Sequence, residues 1–291
     1  MISDRVSHWI ETITAAHDPQ DLLAGRKEYQ KFSGEIFQDD KSYESRMGAF
    51  LEWYTFQRPY SESGKPPLAC YLEAENPSLS EEDREFLQSL AQSIHSLFQL
   101  LKSAPGYIVV KDLFQNQHYK VQASSQNLPF SKKDIFEGRL IPYQGQFMFT
   151  GNYCYHPPET EKFIFQQIKQ YLQEEKKILR EFRTLDKQLK VLSKSLENQK
   201  KKSQKLKTKI EKAGNPEKRS RLEETLGQVE KELARLEETH REVSENLEQF
   251  KIEQFDRNLP QRRFELIQRL SYMSLKWERS RQIDIHDIYK D

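Results

Sequence analysis

Residues 178–210 read ILREFRTLDKQLKVLSKSLENQKKKSQKLKTKI, and residues 222–254 read LEETLGQVEKELARLEETHREVSENLEQFKIEQ. In the first run Ile178, Phe182, Leu185, Leu189, Leu192, Leu196, Gln199, Ser203, Leu206 and Ile210 recur at alternating steps of four and three, the a/d seam of a coiled coil. The second run repeats the pattern through Leu222, Leu226, Val229, Leu233, Leu236, His240, Val243, Leu247, Phe250 and Gln254. Between them, Ala213-Gly214-Asn215-Pro216 supplies a Gly for a left-handed helix end and a Pro for the first turn of the next helix. The chain is expected to reverse there.

Pairing positions whose numbers sum to 432 sets Leu206 beside Leu226, Leu196 beside Leu236 and Phe182 beside Phe250, so each layer joins an a position to a d position, as antiparallel packing requires. At ~1.5 Å per residue the hairpin is roughly 50 Å long, an arm or spacer. Lys187 to Lys212 hold 10 Lys against 2 Glu, whereas Glu217 to Gln254 hold 11 Glu against 7 Lys and Arg, so the charges favour the same pairing. Exposed pairs are each worth only about 0 to 1 kcal/mol. The run Lys200 to Lys209 suggests a phosphate contact, but a solvated helix face, neutralised in part by its partner, already accounts for it. Gln199 and Ser203 are read as register-setting polar layers, and a charged ring at His240, opposite Leu192, would weaken its layer.

The 291 residues carry 46 Lys and Arg against 45 Asp and Glu, a net +1, which steers the chain toward no particular partner. Charged residues are 31%, hydrophobic ones 36% and the mean hydropathy is −0.88, as befits a chain with one long exposed element. No apolar run is long enough to span a bilayer and Met1 to Arg5 open no signal peptide, so the expected location is the cytoplasm. Cys70 and Cys154 are too few for a disulfide framework.

Ahead of the arm, residues 3–58 read as two or three short helices. The first carries Val6, Trp9, Ile10 and Ile13, and the last, about Ser42 to Phe56, carries Phe50, Trp53, Tyr54 and Phe56 as a core face. Arg58 to Pro67 is a loop, Leu68 to Ala74 a short helix ended by Asn76-Pro77, and Ser80 caps a helix expected to run to residue 102 on Phe86, Leu87, Leu90, Ile94, Leu97, Phe98 and Leu101. After Pro105-Gly106 the period changes to two. Strands are expected at Tyr107 to Val110, His118 to Val121, Ile135 to Ile141 and Phe147 to Phe149, parted by Gln115 to Gln117, Ser124 to Pro129 and Tyr143 to Gly145. Four or five such strands must pack on the 80–102 helix or curl into a small barrel, and small barrels serve as nucleic-acid, protein-binding or structural modules.

The fold class is therefore α+β: a mainly helical N-terminal body with a small antiparallel sheet or barrel (residues 1–157), a long antiparallel coiled-coil hairpin (158–256, turning near 213–217) and a basic C-terminal helix and tail (257–291). In that last segment Arg257, Arg262, Arg263, Arg269, Lys276, Arg279 and Arg281 outnumber Glu265 and Glu278. Arg262, Arg263, Arg269, Lys276 and Trp277 are candidate partner-binding residues. The helix either packs back on the body or meets a protein, nucleic acid or a membrane surface. Ile283, Ile285 and Ile288 read as an edge strand or a frayed tail.

The order Phe50-Leu51-Glu52-Trp53-Tyr54, Gly64, Tyr71-Leu72, Leu79-Ser80-Glu81-Glu82, Val110 to Phe114, Tyr119-Lys120-Val121, Gly138-Arg139-Leu140 and Phe149-Thr150-Gly151 resembles a module of uncharacterised bacterial proteins, some with a SEC-C zinc segment. The resemblance covers about residues 44–151. The SEC-C segment is absent here, so no zinc or nucleic-acid role carries over. Cys154 and His156 are the closest pair of soft metal ligands, yet two ligands do not make a site, and His118 or Cys70 would have to be folded in.

No HExxH, GxGxxG, phosphate loop or Ser-His-Asp order occurs, so no catalytic, metal or cofactor residue is named. The functional expectation is a non-catalytic cytoplasmic adaptor or scaffold whose arm meets protein partners or a second copy of itself. The alternative is a nucleic-acid-binding protein using the small β-module and the basic helices.

Overall fold

The computed structural model describes residues 2–60, 63–75, 78–122, 131–280 and 282–290; the expected stop at Asn76-Pro77, the linker Ser124 to Pro129 and the cation Arg281 lie outside them. The chain divides into two units, residues 1–170 with 264–291, and residues 171–263. Residues 264–291 fold with the first unit.

In that unit the helices are α1 (Ile2–Ala15), α2 (Pro19–Ser33), α3 (Tyr43–Phe56), α4 (Pro67–Glu75) and α5 (Glu81–Ala91). Asp18 caps α2 by accepting from Gln20 N, with Pro19 at the first helical position; Ser80 caps α5 by accepting from Asp83 N. The helix expected through residue 102 ends at Ala91, and β1 (Ile94–Ala104) follows. The apolar residues from Phe86 to Leu101 fit a helical stripe only by coincidence of spacing. What decides the matter is that residues 94–104 are hydrogen-bonded to strands on both sides.

The remaining strands are β2 (Tyr107–Asp112), β3 (His118–Gln122), β4 (Ile135–Tyr143), β5 (Gln146–Phe149) and β6 (Cys154–His156). Two were not expected, β1 and the three-residue β6. The order is β1-β2-β3-β5-β4, closed by β1 pairing back to β4, with β6 added on β4. Each closing pair is antiparallel except β3 with β5, so the expected all-antiparallel sheet is mixed. This order, with its one parallel seam, is that of the five-stranded Greek-key OB barrel. A bulge at Leu100/Lys102 bends β1, whose first half pairs with β4 and second half with β2. Hairpin turns are made at Pro105-Gly106 and at Gln144-Gly145, where φ is positive at Gly106, Gln144 and Gly145.

The interior of the barrel is Phe98, Leu100, Ile108, Val110, Tyr119, Val121, Phe136, Leu140 and Phe149. Strand β4 is buried on both faces, for Ile141 and Tyr143 join Val6, Ile13, Phe86, Leu87 and Leu90 in a second core. A third core sets Tyr29, Phe50, Trp53 and Tyr54 around Phe264, whose ring stacks on Trp53 at 5.0 Å. Phe264 belongs to α8 (Leu259–Arg279), the basic C-terminal helix, and Ile267, Leu270 and Leu275 on it are fully buried. The tail forms neither a strand nor a frayed end. It makes the short helix α9 (Ile285–Ile288), after which Tyr289 is buried against His156 and Phe163.

The second unit is the hairpin, built from α6 (Glu161–Glu211) and α7 (Pro216–Lys251). Its register is the expected one. Phe182 stacks on Phe250 at 6.5 Å, Ser193 Oγ lies 2.9 Å from His240 Nε2, and Lys200–Glu237 and Lys207–Glu230 pair at 2.9 Å each. Each seam residue from Ile178 to Ile210 and from Leu222 to Phe250 is buried or half-buried, and the positions between are mostly exposed. The turn differs in detail. Gly214 is not among the positive-φ glycines; Ala213 N donates to Ile210 O at 3.1 Å, and Asn215 accepts from Glu217 N to start α7 behind Pro216.

The seam also changes phase at its base. Ile252–Asn258 is a π-helix, one residue wider per turn, so Phe255 takes the place expected of Gln254 and meets Phe182 at 5.3 Å and Phe250 at 6.3 Å.

Candidate functional site

The outer face of the barrel follows from strand alternation. On β3 Tyr119 and Val121 point inward and His118, Lys120 and Gln122 outward; on β2 Ile108 and Val110 point inward and Tyr107, Val109 and Lys111 outward. The register places Tyr107 opposite Gln122, Val109 opposite Lys120 and Lys111 opposite His118, a panel of cross-strand pairs. Lys120 Nζ sits 4.4 Å from the centre of the Tyr107 ring, and Lys102 Nζ donates to the Tyr107 hydroxyl at 3.3 Å.

Among the described residues the seam between β3 and β5 is held by one bridge, Val121 to Phe147, with Phe147 edge-on to Tyr119 at 4.9 Å. Along it runs a groove of about 560 Å³, bounded by the Pro105-Gly106 turn and by Gly145-Gln146 of the β4–β5 turn. Among the described residues no carboxylate lines it. The groove residues were not singled out from the sequence. The alternation of β2 and β3 carries their facing, but nothing local says that two distant turns meet beside them.

A second concentration of polar chemistry is buried between β4 and the helices. Glu137 accepts from His95 Nε2 at 2.7 Å, from Gln268 Nε2 at 2.8 Å and from Ser271 Oγ. Burial alone would push its carboxyl up; the His95 contact, then Ser271 and Gln268, outweigh that and hold it at about 2. Two residues on, Arg139 Nε donates to Glu52 at 3.2 Å, with its other nitrogens on Ser93 and Gln57, while Asn152 donates to Glu52 at 2.7 Å. Burial pushes Glu52 up and Arg139 down, each opposed by the other's charge.

Beside Glu137 lies a cavity of about 10 Å³, touched by Tyr29, Arg46, Cys154 and Gln268, with room for one water at most. Burial raises the Cys154 thiol, which leaves it a poor nucleophile. These groups fasten α8 to the barrel. His156 shares the inward face of β6 with Cys154, and its Nδ1 lies 3.1 Å from the Tyr289 hydroxyl. Cys70 lies elsewhere, 3.0 Å from Ser63 Oγ, and His118 faces the groove. Among the described residues no three His, Cys, Asp or Glu side chains are grouped to hold a metal.

The candidate partner-binding residues share one helix without forming one patch. Arg262 pairs with Glu174 at 3.0 Å, Arg269 donates to Gln167, and Lys276 lies 4.4 Å over the Tyr272 ring; Arg263 and Trp277 are half-buried. Nearby, Arg279 is paired with Asp40 at 2.7 Å and Arg46 donates to Ser271 O at 3.0 Å. On the hairpin, Gln199 donates to Glu232 at 2.9 Å, Ser203 is buried against the layer of Val229, and His240 meets Ser193 as above. On the flanks of the hairpin, Ile252 is 40% exposed, Leu179 half-buried and Val191 58% exposed.

A family profile matches residues 11–185, more than half of the chain. The chain belongs to DUF7986, a family of unknown function. The DUF7986 match takes in α2 to α5, all six strands and the beginning of α6, and stops short of α7 and α8. It agrees with the resemblance to uncharacterised proteins over residues 44–151 and assigns no activity to the groove or to the buried cluster. No curated protein and no solved structure matches.

Proposed function

We propose that this DUF7986 protein is a non-catalytic adaptor that engages a protein partner through its coiled-coil hairpin. The observation that carries the reading is the hairpin itself: nine matched layers from Phe182–Phe250 to Ile210–Leu222 and cross-helix ion pairs make a preorganised surface, on which Val191 and Ile252 stay exposed. A preformed helical face lowers the ordering cost of association. The non-catalytic part is supported by the burial of Glu137 and Cys154 beside a cavity of about 10 Å³.

Pairing of two hairpins into a homodimer is a further outcome of the same reading. A cytoplasmic location belongs to it too. Among the described residues no helix is long and apolar enough to cross a membrane. Kinship with the bacterial SEC-C-bearing proteins remains part of this proposal.

The test replaces residues 190–242 with a short Gly-Ser turn, keeping the Phe182, Phe250 and Phe255 base. Affinity capture from the source cells and sedimentation are then compared with the full chain. Loss of captured proteins or of dimer in a variant whose tryptophan fluorescence is native supports the reading. An unchanged capture set and unchanged mass would overturn it.

A further inference from the structure

We propose that the groove along β3 binds single-stranded nucleic acid, with Tyr107 as the base-stacking platform and Lys102 and Lys120 as its phosphate contacts. The charge on the barrel comes first. Within residues 94–149 the described charges are Lys102, Lys111, Lys120, Lys132, Lys133 and Arg139 against Asp112, Asp134 and Glu137. Arg139, Asp112 and Glu137 are buried. The outer surface therefore shows five lysines and one carboxylate, although the chain as a whole is nearly neutral. Such a surface attracts a polyanion.

The groove then separates a nucleic acid from other anions. Tyr107 is held half-buried, with one ammonium 4.4 Å from its ring and another on its hydroxyl at 3.3 Å. A ring with one ammonium over it and another at its hydroxyl edge suits a base followed by its phosphate, whereas an acidic peptide has no group to lay on the ring. Gln117, Gln122 and Gln146 add amides that can both donate and accept, which base edges need and carboxylates do not. The volume of about 560 Å³ lies within the ordinary ~300 to 1,000 Å³ range of ligand sites. The placement agrees with the topology. In a barrel of this strand order the β2–β3 face and the β1–β2 and β4–β5 turns are free to meet a ligand.

The experiment measures fluorescence anisotropy of labelled RNA and DNA strands of about 12 nucleotides with the full chain at ~50 mM salt, a length and a salt at which one such barrel should engage. A duplex of the same sequence and a polyglutamate peptide serve as competitors. Binding of one or both single strands is expected, to be weakened about 5- to 150-fold by Tyr107→Ala, the range measured for loss of one stacking side chain, and to be kept by Tyr107→Phe.

Affinity should fall with salt, and Lys120→Glu should reduce that slope by at least the ~0.7 of one single-strand contact. RNA and DNA arms distinguish the two sources of the ligand. Both substitutions are on outward side chains, so native circular dichroism is expected and is checked. Absence of binding to either strand, tighter binding of polyglutamate, or full binding by Tyr107→Ala and Lys120→Glu with loss on Lys200, Lys201 and Lys202→Glu in the hairpin would each overturn the proposal.

Discussion

Replacing His156 with Phe should make the first unit more resistant to acid. His156 is buried on β6, its Nδ1 is near the Tyr289 hydroxyl, and its Nε2 has no hydrogen-bond partner among the described residues. Burial lowers its pKa from 6.5 to about 4; the charge of Glu137 works in the opposite direction and Arg46 reinforces the fall. The unfolded chain thus binds a proton between these values and the folded chain does not. Stability is fully present above pH ~6.5 and is lost as the pH falls toward 4. At ~1.36 kcal/mol per unit, the loss from this ring is about 2 kcal/mol by pH 5 and about 3 kcal/mol by pH 4.

Phe keeps a ring against Tyr289, and the Tyr289 hydroxyl retains its contact with Ser274. Trp9, Trp53 and Trp277 all lie in the first unit, so urea unfolding followed by tryptophan fluorescence reports on it. The two proteins should be within about 1 kcal/mol of each other at pH 7.5 and separate by about 2 kcal/mol at pH 5 in favour of the variant. Parallel pH curves would refute the reasoning.

Arg139→Met leaves Glu52 buried without its cation and should cost ~3 to 5 kcal/mol in the same urea assay, while the double change Glu52→Gln with Arg139→Met should recover part of it. Phe255→Ala should lower the thermal midpoint of the hairpin by circular dichroism, at a cost of roughly 2 kcal/mol, and Gln254→Ala should not; the reverse ranking would return the seam to an unbroken α-helix. Gly34→Ala combines a φ of 69° with a Cβ that would overlap the Tyr272 ring, and native yield and unfolding midpoint should both fall, by at least ~2 kcal/mol in the latter.

The hairpin was legible because its signal repeats. Ten positions in each run agree on one period, and charge agrees on the partner, so no single residue has to be read correctly. The phase change at its base was hidden because Gln254 and Phe255 are neighbours, and only a widened turn chooses between them. Strand β1 was misread where one spacing satisfied both rules: Ile94, Leu97, Phe98 and Leu101 continue the stripe of Phe86 and Leu90, and pairing with β2 and β4, which is remote in sequence, overrides it. Glu52, Glu137 and Arg139 look solvent-facing by residue type and are among the most buried side chains, because their partners arrive from α3, α8 and β1. The groove was illegible for a similar reason, since its turns are separated by the length of three strands.

The split of the first unit has a consequence for biosynthesis. Trp53 waits for Phe264, and Glu137 for Gln268 and Ser271, across more than ninety residues of hairpin. A nascent chain leaving the ribosome therefore carries an unsealed core until Phe264, Gln268 and Ser271 emerge. The helical pair between, zipping on local contacts, shortens the loop that must be closed and so lowers the entropy cost of that last docking step. A chain stopped before Phe264 is not a trimmed version of this protein but one whose third core has lost its keystone.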